Sequence, residues 1–232
     1  MIVEHRRPDA MAVRQLPAWR SVLAVVAHPD DESFGLGAVL AAFAGAGSRV
    51  SVLCFTRGEA STLHGVEGDL QKLRAAELAA AAEVLGLHTV RLLAYPDGGL
   101  KHVDLGELAA HVVEEAGRVD ADGLVGFDLD GVTSHPDHVR ATQAALTAAG
   151  DADLAVLGWT VPASVAAELR LSSGAPFTGH AAADIDLVVP VDRVLQRQAV
   201  ACHPSQAVPG SVLWRRLELL GDHEHLRWLR RP

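Results

Sequence analysis

One stretch, residues 22–35 (VLAVVAHPDDESFG), constrains the fold more than any other part of the chain. Val22 to Ala27 is an apolar run rich in β-branched residues and bounded by a turn, the pattern of a buried strand. It leads directly into His28-Pro29-Asp30-Asp31-Glu32, and Gly35-Leu36-Gly37 then opens an Ala-rich helical pattern. Imidazole and carboxylates are thus concentrated at the C-terminal end of a strand, the edge at which open α/β sheets bind ligands. Pro29 fixes its own φ and biases His28 toward extended backbone, which stiffens the loop. One imidazole and one carboxylate are two of the three protein ligands a catalytic zinc takes, with a position left open for water. The second carboxylate is then free to act as a base. An ordinary helix start would explain Glu32 and one Asp as an N-cap and first-turn acids. It explains neither His28-Pro29 nor the similar cluster downstream.

The rest of the chain alternates strand and helix. Strands are expected at Val50–Phe55, Val90–Leu93, Leu124–Phe127 and Leu154–Trp159. Between them lie helical patterns over Ala38–Ala46, residues 68–86 with Gly86 as the stop, Asp104–Ala116, and from the second cluster to Ala149. This implies a Rossmann-like α/β domain, a mostly parallel sheet with helices on both faces. Residues 160–182, with Pro162, Gly174 and Pro176, read as a loop excursion lining the site. Ile185–Val191 reads as an edge strand, and Asp192 as the cap of a helix over Arg193–Ala201. From Leu213 the Trp- and Leu-rich tail reads as one or two short helices, serving as an interface or closing the sheet. Residues 1–20 read as a loosely ordered extension or partner contact, and 21–232 as one domain.

Composition excludes several classes. A net charge of −9 argues against a nucleic-acid or anionic-membrane surface. No stretch has the length of a membrane span, and the Arg-bearing N-terminus has no apolar core of a secretory signal. Cys54, inside an apolar run, and the distant Cys202 imply no disulfide framework, which fits a reducing cytoplasm.

His135-Pro136-Asp137-His138 repeats the logic of the first cluster. His135 and His138, three apart, share one face of a helical turn. With His28 and one of Asp30 or Asp31 they make a two-His, one-carboxylate site with a His and an Asp to spare. Zinc suits this set, and ferrous iron does too. Spacing does not decide which Asp is the ligand.

Taken with Thr56-Arg57-Gly58-Glu59, Arg74 to Gly86, Pro96-Asp97-Gly98 and His203-Pro204-Ser205-Gln206, the two clusters make the chain resemble the LmbE-like, PIG-L type N-acetylglucosaminyl deacetylases over roughly residues 20–206. The resemblance implies a zinc site of His28, Asp31 and His138. It implies Asp30 as the base on the attacking water and then the acid for the departing amine. His135 would stabilise the oxyanion, oriented by Asp137. Arg57, Asp97, His203 and Gln206 would bind substrate. Surface turns explain Asp97 as well, and carbonyl contacts at a helix end explain His203. Some relatives carry a Tyr where this chain has Thr133, and its sole Tyr, Tyr95, lies beside the Pro96 turn. His64, His88, His102, His111, His180 and the His223-Glu224-His225 run read as surface.

The expected activity is therefore zinc-dependent removal of an acyl group, acetyl above all, from a small-molecule amino sugar or its conjugate. A homo-oligomer is allowed by the tail. Two alternatives stand beside it: cleavage of a larger sugar-thiol or secondary-metabolite amide, and sugar recognition without catalysis. Dinucleotide binding is disfavoured, because carboxylates at the first turn would repel a pyrophosphate that a glycine-rich loop would cradle.

Overall fold

The computed structural model describes residues 14–61 and 69–232. In chain order the elements are β1 (Ser21–Val26), α1 (Asp31–Phe34), α2 (Gly37–Gly45), β2 (Arg49–Thr56), α3 (Leu70–Leu85), β3 (Thr89–Tyr95), α4 (Leu105–Arg118), β4 (Gly123–Phe127), α5 (Pro136–Ala152), β5 (Ala155–Thr160), α6 (Ala163–Ser173), β6 (Leu187–Pro190), α7 (Val194–Ala201), α8 (Val212–Leu220) and β7 (His223–Arg230). The strands form one sheet in the order β3-β2-β1-β4-β5-β7-β6. β1 to β5 are parallel, and β7 runs antiparallel to both of its neighbours. The chain winds outward from β1 to β3 and then returns to place β4 beside β1. A crevice opens at such a switch point, beyond the carboxyl ends of the two strands.

Both faces of β1 are covered, which is why its sequence is continuously apolar. Val22, Ala24 and Val26 pack with Leu36, Leu40 and Phe43 around α2, while Leu23 and Val25 join Leu108, Val112 and Ala144 beneath α4 and α5. Each Ala-rich helix can approach the sheet closely, and Cys54 is a fully buried member of the first core. Asp69 and Asp104 cap α3 and α4, accepting from Lys72 N and Glu107 N. Among the described residues no helix is long and apolar enough to cross a membrane.

Two expectations are corrected. Residues 160–182 contain α6, which buries Ala166 and Leu169 in the core. Pro162 and Gly174, read as loop residues, stand at its two ends, where Pro and Gly are compatible with a helix. The tail forms one helix, α8, and then β7, inserted between β5 and the edge strand β6. Strand β7 escapes a hydropathy reading because an inward position is Glu224. That residue is fully buried, ion-paired with Arg193 and accepting from Trp159 Nε1 at 2.7 Å. Of residues 1–20, the part from Arg14 onward is described, and it is docked: Trp19 stacks on Phe43 at 5.7 Å and meets Trp228 edge-on.

Glu224→Ala is expected to lower stability by about 3–5 kcal/mol in urea unfolding, because Arg193 would stay buried without its carboxylate. Beside it, burial together with the charges of His223 and Arg193 pulls His225 down to about 4. The folded state holds this imidazole neutral, so its contribution is present above 6.5 and is lost as pH falls toward 4. His225→Gln should flatten the stability-versus-pH curve in that window; an unchanged slope would contradict this assignment.

Candidate active site

The loop after β1 folds back on itself through Asp31. Its Oδ2 accepts from the backbone N–H groups of Ala27 (3.1 Å) and His28 (2.9 Å). Its Oδ1 lies 3.1 Å from His138 Nε2, at the start of α5. His28 Nδ1 lies 3.2 Å from the same His138 nitrogen and 3.7 Å from Asp31 Oδ2. Donors about 2.0–2.1 Å from a tetrahedral ion stand about 3.3–3.4 Å apart; His28, His135 and His138 form one group of donors close enough to hold a metal ion, with Asp31 at its edge through one oxygen to His138 and the other to His28. His28 and Asp31 are buried, and His138 is partly so, its outer face against Phe127.

The other nitrogen of His28 faces two carboxylates. Nε2 lies 3.0 Å from Asp97 Oδ1 and 3.4 Å from Asp137 Oδ2. Burial alone would lower the imidazole, but Asp137 and Asp97 outweigh it and raise His28 to about 10, so a metal ion bound at Nδ1 would have to displace a proton. Both carboxylates are held in place by backbone donors: Asp97 by Ala60 N, Asp137 by Gly98 N at 2.7 Å and Leu100 N at 3.2 Å. A metal-ligating histidine backed by a carboxylate is fixed in tautomer and ring orientation. The Asp137 side chain therefore bonds away from His135. Only its backbone N–H reaches that ring, donating to Nδ1 at 3.3 Å. Burial and the neighbouring His138 and His28 lower His135.

Asp30 has a different environment from Asp31. It adopts φ 120°, ψ −27°, a conformation costly for any residue with a Cβ. Its carboxylate makes no cap bond to α1 and instead pairs with Arg74 Nη2 at 2.9 Å. Arg74, on α3, also donates to Gly58 O at 2.6 Å and to Pro29 O, clasping the loops after β1 and β2. Gly58 has φ +67°, and a Cβ there would lie 2.0 Å from Arg74 Nη1, so any other residue would be strained and would push the guanidinium out of place. Burial raises Asp30 to about 6 despite the opposing Arg74 charge, whereas Asp31 is driven below the usual carboxylate range, the charges of His138 and His28 overriding its burial.

The remaining sequence candidates divide. Gln206 lines the cavity and accepts from Ser61 Oγ at 2.7 Å. His203 is fully buried behind it, 2.8 Å from Glu32 Oε1, and so is neither a pocket wall nor a carbonyl-satisfied helix end. Glu32 in turn accepts from Asp30 N, so this pair braces the strained residue. Arg57 stays outside the cavity lining, and its Nε is buried without an acceptor. Thr133 lines the cavity; Tyr95 points away, its hydroxyl donating to Glu107. No residue of 160–182 enters the wall. His180, expected at the surface, instead lies 3.1 Å from Asp130 and 3.4 Å from Asp128. Arg227, 3.0 Å from Asp128, supplies the positive charge that a cation would bring to that group. His64 lies outside the described residues. Sequence reasoning assigned no role to Arg74, Phe127, Trp159 or Arg216, all of which line the cavity of about 470 Å³.

A family model described as GlcNAc-PI de-N-acetylase (PIG-L) matches residues 23–149, a span containing both histidine-carboxylate loops. The chain belongs to this family. A 1D-myo-inositol 2-acetamido-2-deoxy-alpha-D-glucopyranoside deacetylase of Salinispora arenicola is 33% identical, with 77% of this chain and 70% of that protein covered. The chain spans 53% and 59% of the next two proteins of that name, from Kineococcus radiotolerans and Catenulispora acidiphila. Among solved structures, an N,N'-diacetylchitobiose deacetylase of Pyrococcus horikoshii superposes with a TM-score of 0.67 at 18% identity, covering 91% of this chain and 84% of that one. A 4-carboxy-2-hydroxymuconate hydratase of Pseudomonas putida reaches 0.69 at 18% identity, covering 92% and 97%. The fold alone therefore accommodates more than one reaction. Family membership makes this chain an amide-hydrolysing enzyme of the N-deacetylase type, with a site suited to a divalent metal.

Asp97→Asn and Asp137→Asn are each expected to weaken divalent-metal affinity by about 10–100-fold in competition with a chelator, since each backs the same ligand. Unchanged affinity in both would contradict the role given to His28.

Proposed function

We propose that this enzyme removes the acetyl group from the amine of an amino sugar conjugate, with zinc held by His28, Asp31 and His138. The observation that carries the reading is the divergent setting of two adjacent carboxylates. Asp31 is committed to two histidines and two backbone donors, while Asp30 is held beside it by Arg74 with its oxygens free of any ligand role. Two carboxylates in contrasting environments are what an acid–base assignment requires.

Zinc, when bound, supplies Lewis acidity that polarises the amide oxygen and makes water a competent nucleophile near neutral pH. Asp30 accepts the proton given up by the attacking water and delivers it to the nitrogen as the C–N bond breaks. Arg74 keeps Asp30 ionised and aimed, and Glu32 with His203 holds the backbone that presents it. His135 accepts from Asp137 N through Nδ1, so its neutral form carries the proton on Nε2. It is thereby a hydrogen-bond donor for the oxygen that gains charge as the carbonyl becomes tetrahedral. Gln206 and Thr133 offer polar groups to sugar hydroxyls. The cavity is of a size for a sugar with part of its conjugate.

The test is release of acetate and free amine in equal amounts from N-acetylglucosaminyl-inositol and from simpler N-acetylated amino sugars. A chelator should abolish release and zinc should restore it. Asp30→Asn should lower kcat by about 10²–10⁴-fold while metal content stays unchanged. Full activity in that variant would overturn the assignment of the base.

A further inference from the structure

The loop after β4 bends through three residues with positive φ: Gly131 at 65°, Val132 at 63° and Ser134 at 57°. A β-branched side chain such as Val132 is an outlier there, and it persists only where surrounding contacts over-determine it. The bend has consequences at the site. It sets Thr133 into the cavity wall and brings Gly131 O to 3.4 Å from His138 Nδ1. It also delivers His135 to the cavity as the first residue before α5.

Asp130 is the hub of this bend. Its Oδ1 accepts from Val132 N at 2.8 Å, and its carbonyl accepts from Ser134 N at 3.0 Å. Bonds inside a loop shape it without fixing where it points, which takes an anchor on another element. Asp130 Oδ2 meets such an anchor in His180 Nε2, 3.1 Å away. His180 is itself tied down: its N–H donates to Val161 O at 3.0 Å and its carbonyl accepts from Ala163 N at 2.8 Å. These bonds pin it between the end of β5 and the start of α6. From the same segment, Thr178 N donates to Val132 O at 2.7 Å.

The other groups facing the imidazole are Asp128 Oδ2 at 3.4 Å and Arg227 Nη1, on β7, at 3.2 Å. Arg227 engages both oxygens of the buried Asp128, at 3.1 and 3.0 Å, which leaves the imidazole to Asp130. As a stabiliser of the whole fold the His180–Asp130 contact is minor, because its side chains are 20% and 23% exposed and partly solvated pairs are worth little. Its leverage is local. It joins a rigidly held side chain to the hub of a strained loop, and it does so from behind the cavity wall.

We propose that His180 is a positioning residue for the reaction: through Asp130 it holds the bend at residues 131–134 and so sets His135 toward the oxygen that gains charge. This role rests on the deacetylase reading and adds to it a residue that touches neither substrate nor metal. His180, Thr178 and Arg227 all lie beyond residues 23–149, the span matched by the family model, so a C-terminal segment governs a loop within that span.

Two readouts on the zinc-loaded enzyme test this. Hydrogen exchange at the Val132 and Ser134 amides, followed by NMR, reports the loop, and acetate release from N-acetylglucosaminyl-inositol reports its consequence. His180→Ala should speed exchange at both amides by about tenfold or more. It should lower kcat by about tenfold or more with KM within about threefold and zinc content unchanged, since His135 meets a charge that develops only in the transition state. His180→Gln, whose amide can donate to Asp130, should restore part of both effects. Asp130→Ala removes the contact from the loop side, and the double variant should be no worse than Asp130→Ala alone. A merely structural histidine would lower the melting temperature and leave kcat, measured well below it, as in the wild type.

The proposal is overturned if His180→Ala keeps wild-type exchange at Val132 and Ser134, if it keeps wild-type kcat, or if His180→Gln is as impaired as His180→Ala. Should His180→Ala not fold, Asp130→Ala takes its place, and wild-type exchange or turnover in that variant overturns the proposal equally. Absence of acetate release from the wild type would overturn the deacetylase reading instead, and the exchange measurement would still decide whether His180 holds the loop.

Discussion

The structure depends on one contact across the β1–β4 crevice, that between Asp31 and His138. It joins the loop after β1 to the start of α5, and its cost is met from both sides. Two backbone N–H groups hold Asp31, and Gly131 O lies beside the far nitrogen of His138. Around this contact the charges are layered. Asp97 and Asp137 back His28, Arg74 anchors Asp30, and His203 with Glu32 supports the backbone from below. Groups of both signs are buried together, so each is stable only in company.

The same layering explains the strain at the site. Asp30 at φ 120° and, on the facing loop, Val132 at φ 63° and Ser134 at φ 57° are all outside the regions such residues prefer. Each lies where a loop must turn sharply to bring side chains into the crevice. Val132 is held there by bonds from its N–H to Asp130 and from Thr178 N to its carbonyl. Cores on both faces of the sheet hold the strand ends in place and so sustain conformations that neither loop would adopt alone.

Much of this was legible in the chain. The apolar runs located β1, β2, β4 and β5 because strands covered on both faces carry little else, and the two histidine-carboxylate loops followed directly from the ends of β1 and β4. Spacing left the choice between Asp30 and Asp31 open; in the structure their settings differ, Asp31 folding its carboxylate onto the N–H groups of Ala27 and His28 while Asp30 pairs with Arg74. The partners of the ligands were not legible. His28 with Asp97, Asp30 with Arg74 and Glu32 with His203 join positions far apart in sequence, and no local periodicity announces such pairs. Strand β7 was hidden by Glu224, because a buried charge looks like a surface residue until Arg193 and Trp159 are seen around it.

The central proposal is that a divalent ion would be held on the His28 Nδ1 side, by His28, Asp31 and His138. His28 Nε2 with Asp97 and Asp137 forms a second group of suitable donors on the opposite side of the same ring. Anomalous diffraction at the zinc edge from crystals of the zinc-loaded enzyme separates the two directly. The account predicts a single peak bounded by Asp31 and His138, with Asp97 and Asp137 only behind the ring. A peak between Asp97 and Asp137 would contradict it, and with it the roles assigned to both carboxylates of the first loop.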